Sequence, residues 1–275
     1  MLRNLLVSRR GLLTTGSLVG AGMMFNKPAA CLSTASTALP AITLYQYQVC
    51  PYCNKLQTYL EYHKIPHKRV EVNPLSKKEM KFSEYKKVPF VVVATEGQQQ
   101  QVNGSDAVID WVSKEVLHES AVSQGVQQWR TWADDVLIHL LPPNIYRTPG
   151  ESLQAFEYIS NSSNFSAMEK FTAKYTGALA MYFIAKRSLT KYNIKDARLE
   201  LQQALDKWSN EALPPTAKFH GGAKPDMADL SVYGVVRSIE GNYSTWNDMQ
   251  AKVDPKFWAW YSSMKQEMSP PILLD

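Results

Sequence analysis

The sequence predicts an α/β domain followed by an all-α domain. Strand-type and helix-type patterns alternate from residue 41 to 117, and only helix-type patterns occur after residue 126. The motif Cys50-Pro51-Tyr52-Cys53 lies where the first strand gives way to the first helix. With 275 residues and 45% hydrophobic content, the chain is long enough for two packed domains. We divide it into a leader (1–40), an α/β domain (41–117), a linker (118–125) and a helical domain (126–275).

Residues 1–40 differ in composition from the rest of the chain. They carry four basic residues and no acidic one, and they are rich in Ser, Thr, Ala and Gly. This composition is typical of a targeting presequence, so we predict a mitochondrial location or attachment to an organelle or Golgi-type membrane, with a soluble form after cleavage. The apolar run 11–25 is shorter than the roughly 20 residues that a spanning helix needs. A weak membrane anchor and a twin-arginine export signal at Ser8-Arg9-Arg10 remain alternatives.

The basic character of the chain belongs to this leader. The net charge of +5 falls to +1 when the four basic residues of the leader are set aside. A nearly neutral body argues against nucleic-acid binding, because such binding needs a basic surface that displaces counterions from phosphates. The body also keeps only Cys50 and Cys53, which are too few for a disulfide framework.

The predicted order of elements within residues 41–117 is that of a thioredoxin-like domain. Ile42, Leu44 and Gln46 share one face of the first strand, and Pro51 suits the first position of a helix because its missing amide hydrogen would be unbonded there. The predicted segments are a strand at 41–47, a helix that Pro66 ends, a strand at 68–72, a helical turn at 77–85, a strand entered at Val88-Pro89, a polar turn at Gln98–Gln101 and a helix that contains Val108 and Val116.

The chain after residue 126 shows helical spacing of apolar side chains. We expect Leu141-Pro142-Pro143 to stop the first of these helices, because proline removes a helical hydrogen bond. That helix carries an apolar stripe of Trp129, Trp132, Val136 and Leu140. Further helices are predicted near 151–160, 166–190, 196–210, 226–240 and 255–267.

The dithiol motif carries the most specific chemistry. A cysteine at a helix N-terminus has a stabilised thiolate, because the helix dipole favours negative charge there. We therefore interpret Cys50 and Cys53 as a redox or nucleophilic pair. The alternative is a zinc site with the ligands Cys50, Cys53, His63 and His67. Its Cys-to-His spacing is shorter than that of the usual zinc finger, and Pro66 interrupts the helix that would hold both histidines.

Two further features would complete a binding site beside the dithiol. A cis proline at Val88-Pro89 would leave the backbone of Val88 free to pair with a bound peptide, and the alternative is a plain strand-entry proline. Ser105 and Asp106 begin a helix that can receive an anion such as a carboxylate, and the alternative is ordinary helix capping.

Three polar features are interpreted as structural. Asp226 and Asp229 predict a helix start with a reciprocal capping arrangement. Asp134 and Asp135 are expected on a solvated helix face, and the alternative is a buried acid pair. His139, one turn further on, is expected to pack rather than to bind a ligand.

Segments in both predicted domains carry a specific likeness to a known family. They are Leu44-Tyr45-Gln46-Tyr47, the dithiol motif, Val70-Glu71-Val72-Asn73-Pro74, Lys81-Phe82-Ser83, Lys87-Val88-Pro89, Trp129-Arg130, Trp132-Ala133-Asp134-Asp135, Tyr146-Arg147-Thr148-Pro149 and Ala228-Asp229-Leu230. Together they resemble the membrane-associated prostaglandin E synthase type 2 family, from about Ile42 to the C-terminal helix. The resemblance implies a thioredoxin-like or glutaredoxin-like N-terminal domain joined to an all-α, glutathione-transferase-like C-terminal domain.

The same resemblance implies a thiol-dependent isomerase that converts prostaglandin H2 to prostaglandin E2. Cys50 would be the reacting thiol, Tyr47 would support it through its hydroxyl, and Cys53 would adjust its pKa or resolve it as a disulfide. The alternatives are a glutathione-dependent thiol-disulfide oxidoreductase or glutathione transferase, and a non-catalytic binder of haem and glutathione. They stay open because a family resemblance transfers substrate identity poorly.

Ligands and partners are implied as well. Matching positions place glutathione on Val88, Pro89, Ser105 and Asp106, and haem near His139, Arg187 and Lys191. The partners implied are a small lipid endoperoxide as substrate, a second copy of the chain in a homodimer, and a membrane reached through the N-terminal segment. Three departures from the family pattern occur: Lys191 stands in place of the more common Arg, Pro142 in place of a small polar residue, and Gly104 in place of an acidic one.

Overall fold

The computed structural model describes residues 39–95, 97–162 and 164–274. The predicted leader therefore lies outside the described residues except for its last two positions. Among the described residues, no helix combines the length and the apolar content that crossing a membrane requires.

A four-stranded mixed sheet forms the first half of the described chain. Its strands are β1 (Ala41–Gln46), β2 (His67–Glu71), β3 (Phe90–Thr95) and β4 (Gln98–Asn103). The spatial order is β2-β1-β3-β4, with β2 parallel to β1 and the other two pairs antiparallel. The side chains of Ile42, Leu44 and Gln46 are buried, which confirms the predicted alternation of the first strand.

The prediction of a polar turn at Gln98–Gln101 is wrong. These glutamines begin β4, which pairs antiparallel with β3 from Thr95↔Gln98 to Phe90↔Asn103. An edge strand needs backbone partners on one side only, and its side chains can stay in water. For this reason a run of glutamines forms a strand without an apolar pattern.

Helix α1 (Pro51–Tyr62) follows β1, and α2 (Ser105–Trp111) follows β4. A π-helical turn at Val112–Val116 continues α2 to the predicted end of this region. A short 3-10 turn at Lys78–Met80 replaces the predicted helical turn at 77–85. The order of strands and helices confirms the thioredoxin-like prediction.

The second half of the described chain is helical, as predicted. Its helices are α3 (Gln124–Trp132), α4 (Ile138–Ile145), α5 (Pro149–Ala155), α6 (Ala167–Lys191), α7 (Ala197–Lys207), α8 (Met227–Arg237), α9 (Tyr243–Lys252) and α10 (Pro255–Glu267). Helix α9, which Asn242 caps through its side chain, was absent from the sequence-based prediction.

The expected helix stop at Pro142-Pro143 is also wrong. Both prolines lie inside α4, which ends at Ile145. They fall in its last turn and a half, so only a short piece of helix lacks their hydrogen bonds. The side chains of Leu140, Leu141 and Ile145 are buried, and this packing holds the segment helical.

One hydrophobic core joins the sheet region to the helices. It contains side chains from β1, α1 and α2 together with side chains from α4, α8 and α10. Gly234 of α8 lies so close to α1 that an added Cβ would be 2.6 Å from the Cα of Lys55. This close approach places the helical region directly behind the helix that begins at the dithiol.

Candidate active site

Cys50 occupies the N-cap position of α1. Its backbone is extended, with φ −76° and ψ 125°, and its side chain makes no capping hydrogen bond. The Cys50 amide donates to Tyr47 O at 3.0 Å, and the Cys50 carbonyl accepts from Asn54 N at 2.9 Å. The thiol is thus held at a helix start and is half-buried, while Cys53 is fully buried. Both thiols are free.

The two thiols differ in acidity for physical reasons. A hydrogen bond from the Cys53 thiol, together with the amides of Cys53 and Tyr52, lowers the pKa of Cys50 although burial opposes the shift. Burial and the neighbouring Cys50 raise the pKa of Cys53 well above its ordinary value. Because a thiolate is the nucleophilic form, this difference favours Cys50 as the nucleophile of the pair, and that role stays a prediction.

Asn54 fixes the loop that presents Cys50. Its Nδ2 donates to Gln48 O at 2.7 Å and to Cys50 O at 3.1 Å. The side chain is buried, so these bonds are sheltered from water. An asparagine in the first turn of a helix carries no distinctive sequence signal, so the role of Asn54 was not predicted.

Tyr47 lies on the loop between β1 and α1, with its ring against a small apolar cluster of Val72, Met80 and Phe90. Burial and the nearby thiols raise the pKa of Tyr47 to about 12, so its hydroxyl keeps its proton near neutral pH. Among the described residues, that hydroxyl makes no hydrogen bond. It is therefore free to donate to a bound molecule, and its supporting role stays a prediction.

The Val88-Pro89 peptide bond is cis. Neither the N–H nor the C=O of Val88 takes part in a backbone hydrogen bond within the described chain, whereas Pro89 O accepts from Gly104 N at 3.0 Å. Gly104 has φ +89°, a conformation that residues with a side chain rarely adopt. The pairing of Phe90 with Asn103 therefore places Val88, Pro89 and Ser105 at the same end of the β3–β4 pair.

Asp106 belongs to an ion cluster. Its Oδ1 accepts from Lys55 Nζ at 2.9 Å and from Arg130 Nη2 at 3.2 Å. The Lys55 ammonium also lies 2.6 Å from Asp134 Oδ1. The expectation of a solvated Asp134 is therefore wrong, since its carboxylate pairs with a fully buried lysine. Asp106 was predicted to contact glutathione, and its carboxylate already has two protein partners.

The two histidines of the alternative zinc site make other contacts. His67 Nδ1 lies 2.9 Å from Ile65 O, and its Nε2 accepts from Arg69 Nε at 3.1 Å. The His63 ring packs against Tyr59 and Tyr62. Since both nitrogens of His67 are engaged, the dithiol does not form a zinc site with these histidines.

His220, Asp226 and Asp229 come together at the start of α8. Asp229 accepts from His220 N, Gly221 N, Asp226 N and Trp260 Nε1, and Asp226 accepts from Ala228 N, Asp229 N and His220 Nδ1. Their carboxylate oxygens are thus occupied by donors. The predicted capping arrangement is confirmed, and the cluster is structural.

The residues assigned to haem lie on two neighbouring helices, His139 on α4 and Arg187 and Lys191 near the end of α6. The His139 ring stacks on Tyr192, with centroids 3.9 Å apart, and Lys191 Nζ donates to the Tyr192 hydroxyl at 2.8 Å. Tyr192 thus covers one face of His139 and engages Lys191. Two of the three residues implied for haem therefore already have a protein partner.

A cavity of about 590 Å³ follows one face of α1. Its lining comes from the ends of β1 and β2, from α1 and from the helical region, and it includes Gln48, Val49, Asn54, Gln57, Arg69, Tyr158 and Arg237. Arg69 and Arg237 both bind the buried carboxylate of Glu61. Most of this lining is polar, and it extends to the loop that presents Cys50.

Comparison with known proteins agrees with this geometry. Residues 44–116 match the family model of the glutathione S-transferase N-terminal domain. A glutathione S-transferase from Rhodospirillum rubrum superposes with a TM-score of 0.51 at 14% identity, covering 82% of this chain and 87% of that one. Glutathione transferase Omega 3C from Trametes versicolor gives 0.50 at 12% identity, covering 86% and 87%. The fold is thus that of the glutathione transferases, here with a dithiol at the first helix start.

Relatives with similar sequences identify the protein family within this fold. Prostaglandin E synthase 2 of Mus musculus is 38% identical in an alignment that covers 73% of this chain and 64% of that protein. Prostaglandin E synthase 2 of Danio rerio is 35% identical in an alignment that covers 82% of this chain and 70% of that protein. The chain therefore belongs to the prostaglandin E synthase 2 family, and it spans about two thirds of the length of these relatives.

Proposed function

We propose that this protein is a thiol-dependent isomerase that converts prostaglandin H2 to prostaglandin E2. The observation that supports it most is the half-buried Cys50 thiol, whose pKa is lowered at the start of α1, in a chain of the prostaglandin E synthase 2 family. A lowered pKa increases the fraction of Cys50 that is thiolate, and a thiolate is the nucleophile that attack on an O–O bond requires.

The reaction balances without an external oxidant or reductant. The Cys50 thiolate attacks one peroxide oxygen, so that an S–O bond forms while the O–O bond breaks. The second oxygen leaves with the electron pair and takes a proton to become a hydroxyl. Loss of the hydrogen on the carbon next to the sulfur-bound oxygen then forms a ketone, and the S–O electron pair returns to sulfur as thiolate. The product is an isomer of the substrate.

Cys53 and Tyr47 have supporting roles in this proposal. The Cys53 thiol stabilises the Cys50 thiolate by its hydrogen bond, and its own raised pKa keeps it protonated as the donor. Tyr47 keeps its phenolic proton and would donate it as a hydrogen bond to the substrate. Neither residue has to change its oxidation state during isomerisation.

A second candidate function is glutathione-dependent thiol-disulfide exchange, with glutathione transfer as a related activity. The neighbouring Cys53 thiol favours it, because a resolving cysteine within hydrogen-bond reach is what a dithiol reductase uses. A Cys53→Ser variant separates the candidates when an endoperoxide and a mixed disulfide are assayed side by side. An isomerase keeps most of its endoperoxide turnover in this variant, whereas a dithiol reductase loses its disulfide turnover.

We propose that glutathione binds along the cis-proline side of the site. The unpaired backbone of Val88 supports a strand-like pairing with the tripeptide, and Ser105 at the start of α2 supports a contact with its carboxylate. Asp106 would contact the amino group only with the oxygen that Lys55 and Arg130 leave free. Calorimetric titration with glutathione tests this, and Ser105→Ala is expected to weaken binding while Ser123→Ala, a cap far along the chain, is not.

Haem binding stays a prediction, and no step of the mechanism depends on it. Absorption spectra recorded after haem addition, with and without glutathione, test the prediction. A glutathione-dependent Soret shift that His139→Ala abolishes would support it, and an unchanged spectrum would contradict it.

We propose that the protein is a homodimer joined through α6. Five large apolar side chains follow one face of this helix at spacings of three and four, namely Met168, Phe171, Tyr175, Leu179 and Phe183, and the adjacent Ile184 extends them. All six are 48–71% exposed. At roughly 150–250 Å² for a large side chain, they offer on the order of 600 Å². A monomer rarely exposes more, and a stable interface needs about 800 Å² per partner.

The oligomeric state tests this surface. Leu179→Glu is expected to convert a dimer to a monomer in sedimentation experiments, because it places a charge in the centre of the face. Leu199→Glu on α7 is the matched control, since Leu199 is also an exposed leucine (47%) but lies outside the face. A wild-type monomer, or a dimer that Leu179→Glu leaves intact, would contradict the proposal.

The leader at 1–40 is proposed to direct the protein to a mitochondrion or an organelle membrane. Its basic, acid-free composition supports this. Imaging of a fluorescent fusion with and without residues 1–40 tests the proposal, and an unchanged distribution would contradict it.

A further inference from the structure

Glu71 is a half-buried acid that the proposed reaction does not use. It is the last residue of β2 and lies beside the end of β1. Its Oε1 accepts from Gln48 N at 2.9 Å, and its Oε2 accepts from Gln46 Nε2 at 3.3 Å. Gln48 is two residues before Cys50, so the carboxyl group is bonded to the loop that presents the reactive thiol.

This contact belongs to a continuous set of hydrogen bonds. Gln46 Oε1 accepts from Gln57 Nε2 of α1 at 2.7 Å, so Glu71 is linked to α1 as well as to the loop. Asn54 holds the other side of the loop through Gln48 O and Cys50 O. Two side chains therefore hold the backbone before Cys50: Asn54 donates to Gln48 O, and Glu71 accepts from Gln48 N.

The charge of Glu71 affects the pKa of both thiols. Burial raises the pKa of Glu71 to about 7, although the Gln48 amide and the Gln46 side chain favour its ionised form. The ionised carboxylate in turn raises the pKa of both cysteines. The titratable groups that face it are Cys50 and Cys53, Tyr47 on the loop, Glu79 on the 3-10 turn and Tyr158 from the helical region.

We propose that Glu71 is a positioning residue for Cys50. Its carboxyl group anchors the loop through Gln48 N, and the charge on that group opposes formation of the Cys50 thiolate. Its importance for turnover rests on the isomerase function proposed above, whereas its effect on the thiol does not.

The coupling has a defined direction. When Glu71 is protonated, no negative charge opposes the Cys50 thiolate. When Glu71 ionises as the pH rises, the new charge makes the thiolate harder to form. The two groups therefore titrate over a broader pH range than an isolated thiol would. Reciprocity requires that removal of the Cys50 charge lowers the pKa of Glu71.

The test is the rate of Cys50 alkylation by iodoacetamide as a function of pH, on the full chain, with the modified residue identified by mass spectrometry.

Glu71→Gln keeps an oxygen for Gln48 N and removes the charge. It is expected to shift the midpoint of alkylation to lower pH and to steepen the profile to that of a single group. Glu71→Ala also removes the anchor and is expected to slow alkylation at the plateau. Glu115→Gln, at an exposed acid whose charge partner is Lys114, is the matched control and should leave the profile unchanged.

A Glu71→Gln profile that coincides with the wild type would overturn the proposal. Should that variant fold poorly, the wild-type protein gives a second test by carbon-13 NMR titration of the Glu71 carboxyl before and after Cys50 is blocked. Blocking is expected to lower the Glu71 midpoint, and an unmoved midpoint contradicts the coupling. Neither readout needs prostaglandin turnover. A shifted profile in an enzyme that forms no prostaglandin E2 would leave this inference standing and remove the proposed function.

Discussion

Lys55 Nζ lies 2.6 Å and 2.7 Å from the two carboxylate oxygens of Asp134, and this pair joins helix α1 to the helical region. Lys55 is fully buried two residues after Cys53, and Asp106 adds a second carboxylate to the same ammonium. A buried ammonium is stable only with such partners. The helix that carries the dithiol is thus fixed in orientation by charge as well as by apolar packing.

Removing the Lys55 ammonium is expected to destabilise the fold. In Lys55→Met, two carboxylates lose a shared buried partner, which costs about 3 kcal/mol of unfolding free energy. Urea denaturation followed by circular dichroism measures the change. Lys114→Met, at an exposed ion pair with Glu115, is the matched control and is expected to unfold at the wild-type urea concentration. Equal midpoints for the two variants would show that the buried pair adds nothing.

Gly234→Ala is expected to force α8 away from α1. The added Cβ would lie 2.6 Å from the Cα of Lys55 and 2.9 Å from the carbonyl oxygen of Asn54, and neither backbone atom can yield easily. Overpacking of this kind typically costs about 1–3 kcal/mol. Thermal unfolding of Gly241→Ala provides the comparison, since nothing lies within 4 Å of a Cβ added there. A wild-type melting temperature in Gly234→Ala would mean that the two helices pack less closely.

The Asp229 carboxylate is expected to be more important for stability than its helix-capping role suggests. Asp229→Ala leaves the indole N–H of Trp260 and the amides of His220 and Gly221 without an acceptor. Each buried donor left unpaired costs about 1–3 kcal/mol. Urea denaturation of Asp135→Ala, at an exposed acid on the π-helical turn before α4, should show little change. Similar effects of both substitutions would argue that Asp229 acts only as a cap.

Stability is expected to fall as the pH rises from about 4.5 to about 7, on account of Glu71. Its pKa is raised to about 7 in the folded protein, so between those values the folded state binds more protons than the unfolded state. A shift of this size corresponds to about 3 kcal/mol lost by the upper end of the range. In Glu71→Gln this part of the pH dependence should disappear when unfolding is measured across the range. If the unfolding free energy of Glu71→Gln depended on pH as that of the wild type does, another group would be responsible for the dependence.

Local sequence patterns predicted the parts of the site that lie close together in the chain. The alternation before Cys50, proline at the first position of α1 and the valine run after Pro89 each act over a few residues. The β4 strand was missed because an edge strand of glutamines depends on backbone pairing with β3, and α4 was cut short because packing outweighs the effect of Pro142 and Pro143.

Long-range contacts account for the remaining misses. Asp134 meets Lys55 across 79 positions and Glu71 meets Gln48 across 23, and no local pattern marks such pairs. The segment that contains Glu71 was predicted as a strand and noted in the family resemblance, but neither pointed to a role for the Glu71 carboxyl group. Its role became visible once β2 had been placed beside the end of β1.

The most direct test of the isomerase function is the formation of prostaglandin E2 from prostaglandin H2 by the purified chain, with product analysis by mass spectrometry. The wild type is expected to form prostaglandin E2 faster than the spontaneous reaction, and Cys50→Ser should reduce that rate to the spontaneous level while Cys53→Ser keeps most of it. Product formation in Cys50→Ser at the wild-type rate would contradict the role assigned to the Cys50 thiol.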